Sequence, residues 1–154
     1  MSNAIDARLE SLGITLPVPA APVANYVPFV VTGNMLFISG QLPIGADGLV
    51  KGKLGVTMDA AEGAAAARLC AINLIAQARI ALGGDLSRVK RVVKLVAFIA
   101  CADDFADQPK VANGASDLFV KVFGDAGRHA RSAVGTNALP LGAAVEVEAI
   151  YEIA

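Results

Sequence analysis

A short cationic run near the end of the chain is the part of the sequence best suited to chemistry. Arg128, His129 and Arg131 lie at the start of a predicted strand, and Glu146 lies on the next one. If Pro140-Leu141-Gly142 is the turn that joins these strands, Arg131 and Glu146 lie at the open end of one hairpin. A guanidinium there can bind a carboxylate or phosphate through two parallel hydrogen bonds. A neighbouring glutamate can orient or deprotonate water.

The same residue types allow simpler interpretations. Arg–Glu pairs across strands are common and weak, so a surface salt bridge that stabilises the hairpin explains the pair equally. His129 is either a general base or a loop residue. Cys70 and Cys101 are expected to be buried packing residues, since nothing near them in sequence would lower a thiol pKa. Tyr26 is either a packing residue or a lid over a pocket.

Several catalytic classes lack their characteristic residues. One histidine and two well-separated cysteines provide no metal-ligand cluster. The sequence contains no Walker-type loop, no GxGxxG and no GxSxG. We therefore expect no metal site.

Charge and composition narrow the class of partner. The 154 residues carry 13 Lys+Arg against 14 Asp+Glu, a net charge of −1. Nucleic-acid and acidic-membrane binders need a basic surface, so we expect neither partner. Hydrophobic residues make up 55% and charged residues only 18% of the chain, which is too little charge to cover a lone small domain. We expect an oligomer.

Residues 11–46 carry no charged side chain, which raises the question of a membrane or export segment. Five prolines and several glycines interrupt this stretch, and no apolar run reaches the roughly 20 residues that span a bilayer. Asp6 and Glu10 precede it, where an export signal would be cationic. Two cysteines fit a reducing compartment, so the sequence predicts a cytoplasmic protein.

The first half of the chain predicts four local elements. Residues 4–12 form a short amphipathic helix, and the proline-rich residues 16–28 are extended. Residues 27–32 and 35–39 form two strands of a hairpin around Gly33-Asn34.

A long helix is the clearest predicted element. It begins near Asp59, which forms a capping box with Glu62, and it ends before Gly83-Gly84. The larger apolar residues at spacings of three and four predict its buried face: Leu69, Ile72, Ile75 and Ala76, followed by Arg79 and Ile80.

The second half alternates strands and a helix. Residues 88–101 are apolar on both faces, which predicts a central strand covered on one side by the helices and on the other by a partner subunit. A helix over 109–123 and strands over 132–139 and 143–153 follow, the last with alternating apolar and polar residues. This order predicts an α+β fold in which two helices pack on one face of a single sheet.

Several motifs together resemble the reactive intermediate deaminase (RidA/YjgF) family over about residues 26–154, leaving 1–25 as an N-terminal extension. The resemblance implies a chorismate-mutase-like α+β fold that assembles as a homotrimer with clefts between subunits. The matching segments are Tyr26-Val27, Ser39-Gly40-Gln41-Leu42-Pro43, the strand 89–100, Asp104-Phe105, Ala130-Arg131-Ser132-Ala133-Val134, Leu139-Pro140 and residues 145–150.

The resemblance also implies an activity and a site. Deaminases of this family hydrolyse imine and enamine intermediates such as 2-aminoacrylate to 2-oxo acids and ammonia without a cofactor. Carried over to this chain, Arg131 binds the substrate carboxylate and Glu146 positions water. Tyr26 belongs to the pocket, and Ser39 and Gly40 line the cleft.

Two further positions are assigned by the resemblance. Ala133 stands where the family's deaminases usually carry a cysteine two residues after the arginine, and its backbone remains available to substrate. Asn113 corresponds to an asparagine of the family's helix if a short insertion falls around residues 108–110. The N-terminal extension and Gly135-Thr136-Asn137 indicate a longer subgroup.

Two other functions remain as alternatives. A trimer that binds a small carboxylate without turnover would act as a sensor or regulator. RNA cleavage, a label attached to relatives, is disfavoured by the net charge, the 5% aromatic content and the single histidine.

Overall fold

Within the residues described by the computed structural model, 3–19, 21–22 and 24–154, the chain forms three α-helices and seven strands. The helices are α1 (Ala4–Ser11), α2 (Ala60–Ala81) and α3 (Gln108–Phe123). The strands are β1 (Phe29–Thr32), β2 (Met35–Gln41), β3 (Ile44–Gly45), β4 (Gly48–Leu49), β5 (Val89–Ala100), β6 (Ala130–Thr136) and β7 (Val145–Ile153).

Five strands form one mixed sheet in the order β1-β2-β7-β5-β6, and β3 and β4 form a separate ribbon. Only the β5–β6 pair is parallel; the other pairs of this sheet are antiparallel. Helices α2 and α3 pack against each other and on one face of the sheet. The predicted α+β fold with two helices on a single face is confirmed.

The predicted hairpin between the last two strands is wrong. Strand β5 lies between them, with Ile99 opposite Gly135 of β6 and Val145 of β7. The physical reason is the β5-α3-β6 connection, since a helical crossover returns the chain parallel to the strand it left. Strand β7 then pairs with the other edge of β5.

The hairpin of β1 and β2 is confirmed, with Thr32 opposite Met35 across the turn. Gly33 adopts φ +57°, a left-handed conformation that suits glycine. Strand β2 continues to Gln41, and its pairing with β7 shifts register between Ile38 and Gln41. That irregularity lies within the Ser-Gly-Gln motif.

Helix α2 has the predicted ends, and its buried face is the predicted one only in part. Asp59 and Glu62 form the capping box. Of the predicted face, Ile75 and Ala76 are buried, whereas Leu69 and Ile72 are only partly buried and Ile80 is half exposed. The rest of the buried side is rich in alanine: Ala66, Ala67, Cys70, Ala71, Leu74 and Ala78. Small side chains let the helix lie close to the sheet, so residue size did not mark the inner face.

Although α2 is long and apolar enough to cross a bilayer, it is a core helix here.

The two faces of the sheet differ sharply along β7. Its odd-numbered residues from Val145 to Ile153 are buried under the helices, and its even-numbered residues lie on the opposite, open face. The predicted alternation is therefore confirmed. In β5 a register shift between Val92 and Lys94 moves Val92 to the helix side, where it is fully buried opposite Tyr151.

The predicted N-terminal helix is present as α1 and packs on the rest of the fold. Leu9 is buried, Arg8 donates a hydrogen bond to the Val122 carbonyl, and Asp6 pairs with Arg79 at 3.2 Å. The predicted extended segment over 16–28 includes residues 20 and 23, which lie outside the described residues. The division of the chain at residue 25 stays a prediction.

Helices α2 and α3 touch through their backbones at one point. A Cβ placed on Gly114 would contact the carbonyl oxygen of Ala64 and lie 2.8 Å from its Cα. Because no side chain fits there, glycine sets the spacing between the two helices.

Candidate functional site

The guanidinium of Arg131 is held from the α3 side. Strand β6 is an edge strand, and its Arg131 pairs with Leu95 on the helix face of the sheet. Nη1 of Arg131 donates to Asn113 Oδ1 at 2.9 Å and to Ser116 Oγ at 3.0 Å. Nη2 reaches the Pro109 carbonyl at 3.5 Å. The side chain remains partly exposed.

Both acceptors belong to one face of α3. Asn113 and Ser116 are three residues apart, a spacing that places side chains on the same side of a helix. The structure thus brings the predicted Asn113 to Arg131. Sequence reasoning missed Ser116, although its spacing from Asn113 was a usable signal.

His129 adjoins this cluster and is a bonded residue within it. Its Nδ1 lies 2.7 Å from the Gly127 carbonyl and its Nε2 lies 2.9 Å from Ser116 Oγ. Partial burial, and secondarily the charge of Arg131, lower the pKa of His129, while the bond to Gly127 acts in the opposite direction. The imidazole is therefore neutral at physiological pH.

Glu146 lies on the open face of β7, directly beside Gly40. A Cβ placed on Gly40 would contact Glu146 Oε1 and lie 2.9 Å from its Cδ, so only glycine leaves room for this carboxylate. Partial burial, and secondarily the charge of Glu148, raise the pKa of Glu146. A carboxyl group with a raised pKa is better matched to proton transfer near neutrality.

Ser39, the residue before Gly40, is held by two hydrogen bonds at the corner where the chain enters β1. The Ser39 hydroxyl donates to the Val27 carbonyl at 2.9 Å, and the Ser39 N–H donates to the Pro28 carbonyl at 2.9 Å. Tyr26 precedes this corner and is 55% exposed, which argues against the packing role. Tyr26, Ser39, Gly40 and Glu146 thus form one group at the β2–β7 side.

Arg131 and Glu146 do not meet within one chain. Arg131 is level with Leu95 and Glu146 with Phe98, on strands that flank β5. Two strand spacings of about 4.8 Å and three residues of about 3.3 Å place their Cα atoms roughly 14 Å apart, with side chains on opposite faces. The predicted proximity at a hairpin end is wrong, because β5 separates the two strands. No Arg131–Glu146 salt bridge forms within the described residues.

Ala133 lies with Arg131 on the same side of β6. It pairs with Ala97 of β5 and packs partly against the core. The candidate residues therefore form two groups. The anchor group consists of Asn113, Ser116, His129, Arg131 and Ala133, and the carboxylate group consists of Tyr26, Ser39, Gly40 and Glu146.

The open face of the sheet carries an apolar groove. A cavity of about 240 Å³ opens there, with Ser39, Lys94 and Glu148 among its polar lining. Phe37 is 41% and Val30 50% exposed, and both line the groove. Exposed apolar surface of this kind marks interaction sites.

Neither cysteine is placed for chemistry. Cys70 and Cys101 are both buried free thiols, and burial raises the pKa of Cys70. Among the residues that the structure describes, no three His, Cys, Asp or Glu side chains come close enough together to hold a metal ion.

Comparison with known proteins identifies the fold and the family. Residues 6–153 match the family described as "YjgF/chorismate_mutase-like, putative endoribonuclease". Protein TCP17 of Trypanosoma cruzi is 52% identical over 99% of this chain and 96% of its own length.

Two solved structures are also similar to this chain. Atu1372 of Agrobacterium tumefaciens superposes with a TM-score of 0.92 at 50% identity, covering 99% of this chain and 94% of that protein. RidA of an Antarctic Psychrobacter superposes with a TM-score of 0.60 at 31% identity, covering 90% of this chain and 96% of that protein. The predicted resemblance is confirmed: this chain belongs to the YjgF/RidA family.

Proposed function

We propose that this protein is a cytoplasmic imine and enamine deaminase whose site is shared between copies of the chain in a homotrimer. One copy supplies the anchor group around Arg131, and its neighbour supplies the carboxylate group around Glu146. The observation that carries the proposal is the separation of two chemically complementary groups on opposite faces of one sheet. A second copy is the simplest way to unite them.

The unused edge of Arg131 suits a substrate carboxylate. Two bonds to Asn113 and Ser116 use the hydrogens of Nη1, and Nη2 makes only the long contact to Pro109. Among the described residues, the edge formed by Nε and Nη2 is thus available for the paired hydrogen bonds that a carboxylate accepts.

The chemistry requires little beyond orientation. An imine carbon is electrophilic, and water adds to it to give a carbinolamine. Glu146 takes a proton from the attacking water and gives it to the imine nitrogen. A second transfer through the carboxylate moves the hydroxyl proton of the carbinolamine to the same nitrogen, so the C–N bond breaks, ammonia leaves and the carbonyl forms. An enamine such as 2-aminoacrylate first becomes the imine by protonation at carbon. Holding both reactants in place lowers the barrier without a cofactor.

The apolar groove supports self-association. Phe37 and Val30 would leave water when a second copy covers the open face, and burial of apolar area is the main driving force of association. Arg131 lies on an edge strand, where another chain can approach it.

Mixing two inactive variants tests the shared site directly. We expect Arg131→Ala and Glu146→Gln each to stop acceleration of 2-oxo acid release from a serine dehydratase reaction. Random co-assembly of the two variants in a trimer should restore about one quarter of wild-type activity, because one site in four combines both intact residues. Arg128→Ala is the matched control, since among the described residues this neighbouring arginine pairs with Asp125 at 3.6 Å and not with Arg131's partners, and the variant should keep full activity.

Three results would contradict the proposal in different ways. No recovery on mixing would show that the site is not shared. Pyruvate binding without turnover of any amino-acid imine would favour a carboxylate sensor, for which the anchor group alone suffices. RNA digestion that persists in Arg131→Ala would instead support the endoribonuclease description of the family.

A further inference from the structure

A continuous set of hydrogen bonds runs from a backbone carbonyl to the anchoring guanidinium. It starts at Gly127, passes through both ring nitrogens of His129 and the hydroxyl of Ser116, and ends at Nη1 of Arg131. The heavy-atom separations are 2.7, 2.9 and 3.0 Å along the series.

The partners fix the position of every proton in this series. A carbonyl oxygen only accepts, so His129 Nδ1 carries the hydrogen that bonds Gly127. In the neutral ring Nε2 is then an acceptor, and the Ser116 hydroxyl donates to it. The Ser116 oxygen keeps its lone pairs for Arg131, whose guanidinium only donates. Each donor therefore meets an acceptor.

We propose that His129 is a positioning residue for Arg131, that it acts through Ser116, and that protonation of His129 removes this support and weakens carboxylate binding. The inference rests on the proposed function, because it assumes that Arg131 is the carboxylate anchor. Nothing in the resemblance assigns a role to His129 or Ser116.

Protonation reverses one bond and adds a repulsion. With a hydrogen on Nε2, His129 becomes a donor, so the Ser116 hydroxyl must turn its own hydrogen elsewhere. An imidazolium also stands near the guanidinium of Arg131. The recess that holds His129 is lined by Arg128 and Asp117 as well, and Asp125 pairs with Arg128. Phe119 packs edge-on against the ring, with centroids 6.0 Å apart.

The titration of His129 lies on the acid side of the ordinary histidine range. Burial lowers the pKa of His129 below 6.5, so the supporting form dominates at neutral pH and is lost only in acid. Below that pKa the Ser116 oxygen would accept hydrogen bonds from both the imidazolium and Arg131, so the guanidinium would share its acceptor with a second cation.

Pyruvate binding as a function of pH tests the inference without requiring turnover. For the wild-type oligomer we expect the dissociation constant to rise about five- to tenfold between pH 7.5 and pH 5. His129→Gln offers a non-titrating amide oxygen near the position of Nε2. It should bind pyruvate about as tightly as wild type at pH 7.5 and lose most of the acid weakening.

Ser116→Ala is the second variant, because it removes the link but keeps His129. It should bind more weakly at pH 7.5 and show a smaller acid weakening than wild type, because only the charge repulsion between His129 and Arg131 remains. KM rather than kcat should change in the deaminase assay. Nitrogen NMR of the His129 ring gives an independent readout. Arg131→Ala should raise the pKa of His129, and Arg131→Lys should raise it less.

The outcomes separate the two proposals. An unchanged acid weakening in both His129→Gln and Ser116→Ala would overturn the positioning role. Failure of wild type to bind pyruvate at any pH would overturn it as well, together with the anchor. Binding with the expected pH dependence but without imine turnover would leave the positioning role intact and contradict only the deaminase activity.

Discussion

The anchor group and the carboxylate group are built in opposite ways. Arg131 is held by three acceptors of its own chain, two of them side chains of α3. Glu146 makes no hydrogen bond through its side chain within the described residues and is confined by the bare backbone of Gly40. Hydrogen bonds orient the Arg131 side chain, whereas the close approach of the Gly40 backbone orients the Glu146 side chain. Charge fixed by bonds suits binding, whereas a loosely bonded, half-buried carboxylate suits proton transfer.

The largest effect should come from separating the two groups altogether. Phe37→Asp places a charge on the apolar groove and should dissociate the oligomer, lowering activity by at least about 100-fold because neither group works alone. Sedimentation and the 2-oxo acid assay measure the two effects. Ile44→Asp is the matched control, since Ile44 is 51% exposed against 41% for Phe37 but lies on β3, away from the groove. An active monomer would refute a shared site.

A smaller change should test confinement by shape. Gly40→Ala forces the Glu146 carboxylate to move, and we expect kcat to fall about 10- to 100-fold while pyruvate affinity changes little. Steady-state kinetics and calorimetry measure the two quantities. Equal losses in binding and turnover would mean that Gly40 serves both groups.

Loss of a hydrogen bond to Arg131 should weaken substrate binding and leave turnover nearly unchanged. Asn113→Ala removes one acceptor of Arg131, and we expect KM to rise about 5- to 10-fold with kcat nearly unchanged. Asn113→Asp should weaken substrate binding further at neutral pH, because its charge competes with the substrate carboxylate for the guanidinium. A kcat effect without a KM effect would contradict the division of roles.

The smallest effect concerns stability. The raised pKa of Glu146 means that the folded state binds this proton more tightly than the unfolded state, so its contribution to stability is present in acid and lost as pH rises through the folded pKa. Glu146→Gln removes that loss and should raise Tm by about 1–2 °C at pH 7 but not at pH 4. Thermal melts at both values measure it, and an equal shift at both would show that ionisation is not the cause.

Local features of the sequence predicted local structure well. The capping box of Asp59 and Glu62, the Gly33-Asn34 turn and the alternation along β7 were confirmed because each depends on residues near in sequence. The strands that pair with β5 are distant from it in sequence, so local features did not identify them. The short link through residues 140–142 was wrongly predicted to be a hairpin turn. The βαβ order of β5, α3 and β6 was the better signal.

Part of the candidate site was predicted from the family resemblance, and another part of it was missed. Asn113 was assigned by motif, and the structure explains the assignment through its bond to Arg131. Ser116 was missed although it lies three residues from Asn113 on the same helix face. The bonded role of His129 could not be predicted, because it depends on how α3 and the start of β6 face each other. The buried side of α2 was predicted only in part, because alanine gives little contrast between the faces of the helix.

The contact between Gly114 and Ala64 has a consequence for the anchor that its distance from substrate conceals. Gly114 lies between Asn113 and Ser116 in sequence, so the point where α3 touches α2 is on the same turn of the helix that carries both acceptors of Arg131. Any side chain at 114 would push both acceptors out of reach at once. Substrate preference could therefore drift through substitutions at the rear of the helical layer while every residue in the cleft stays the same.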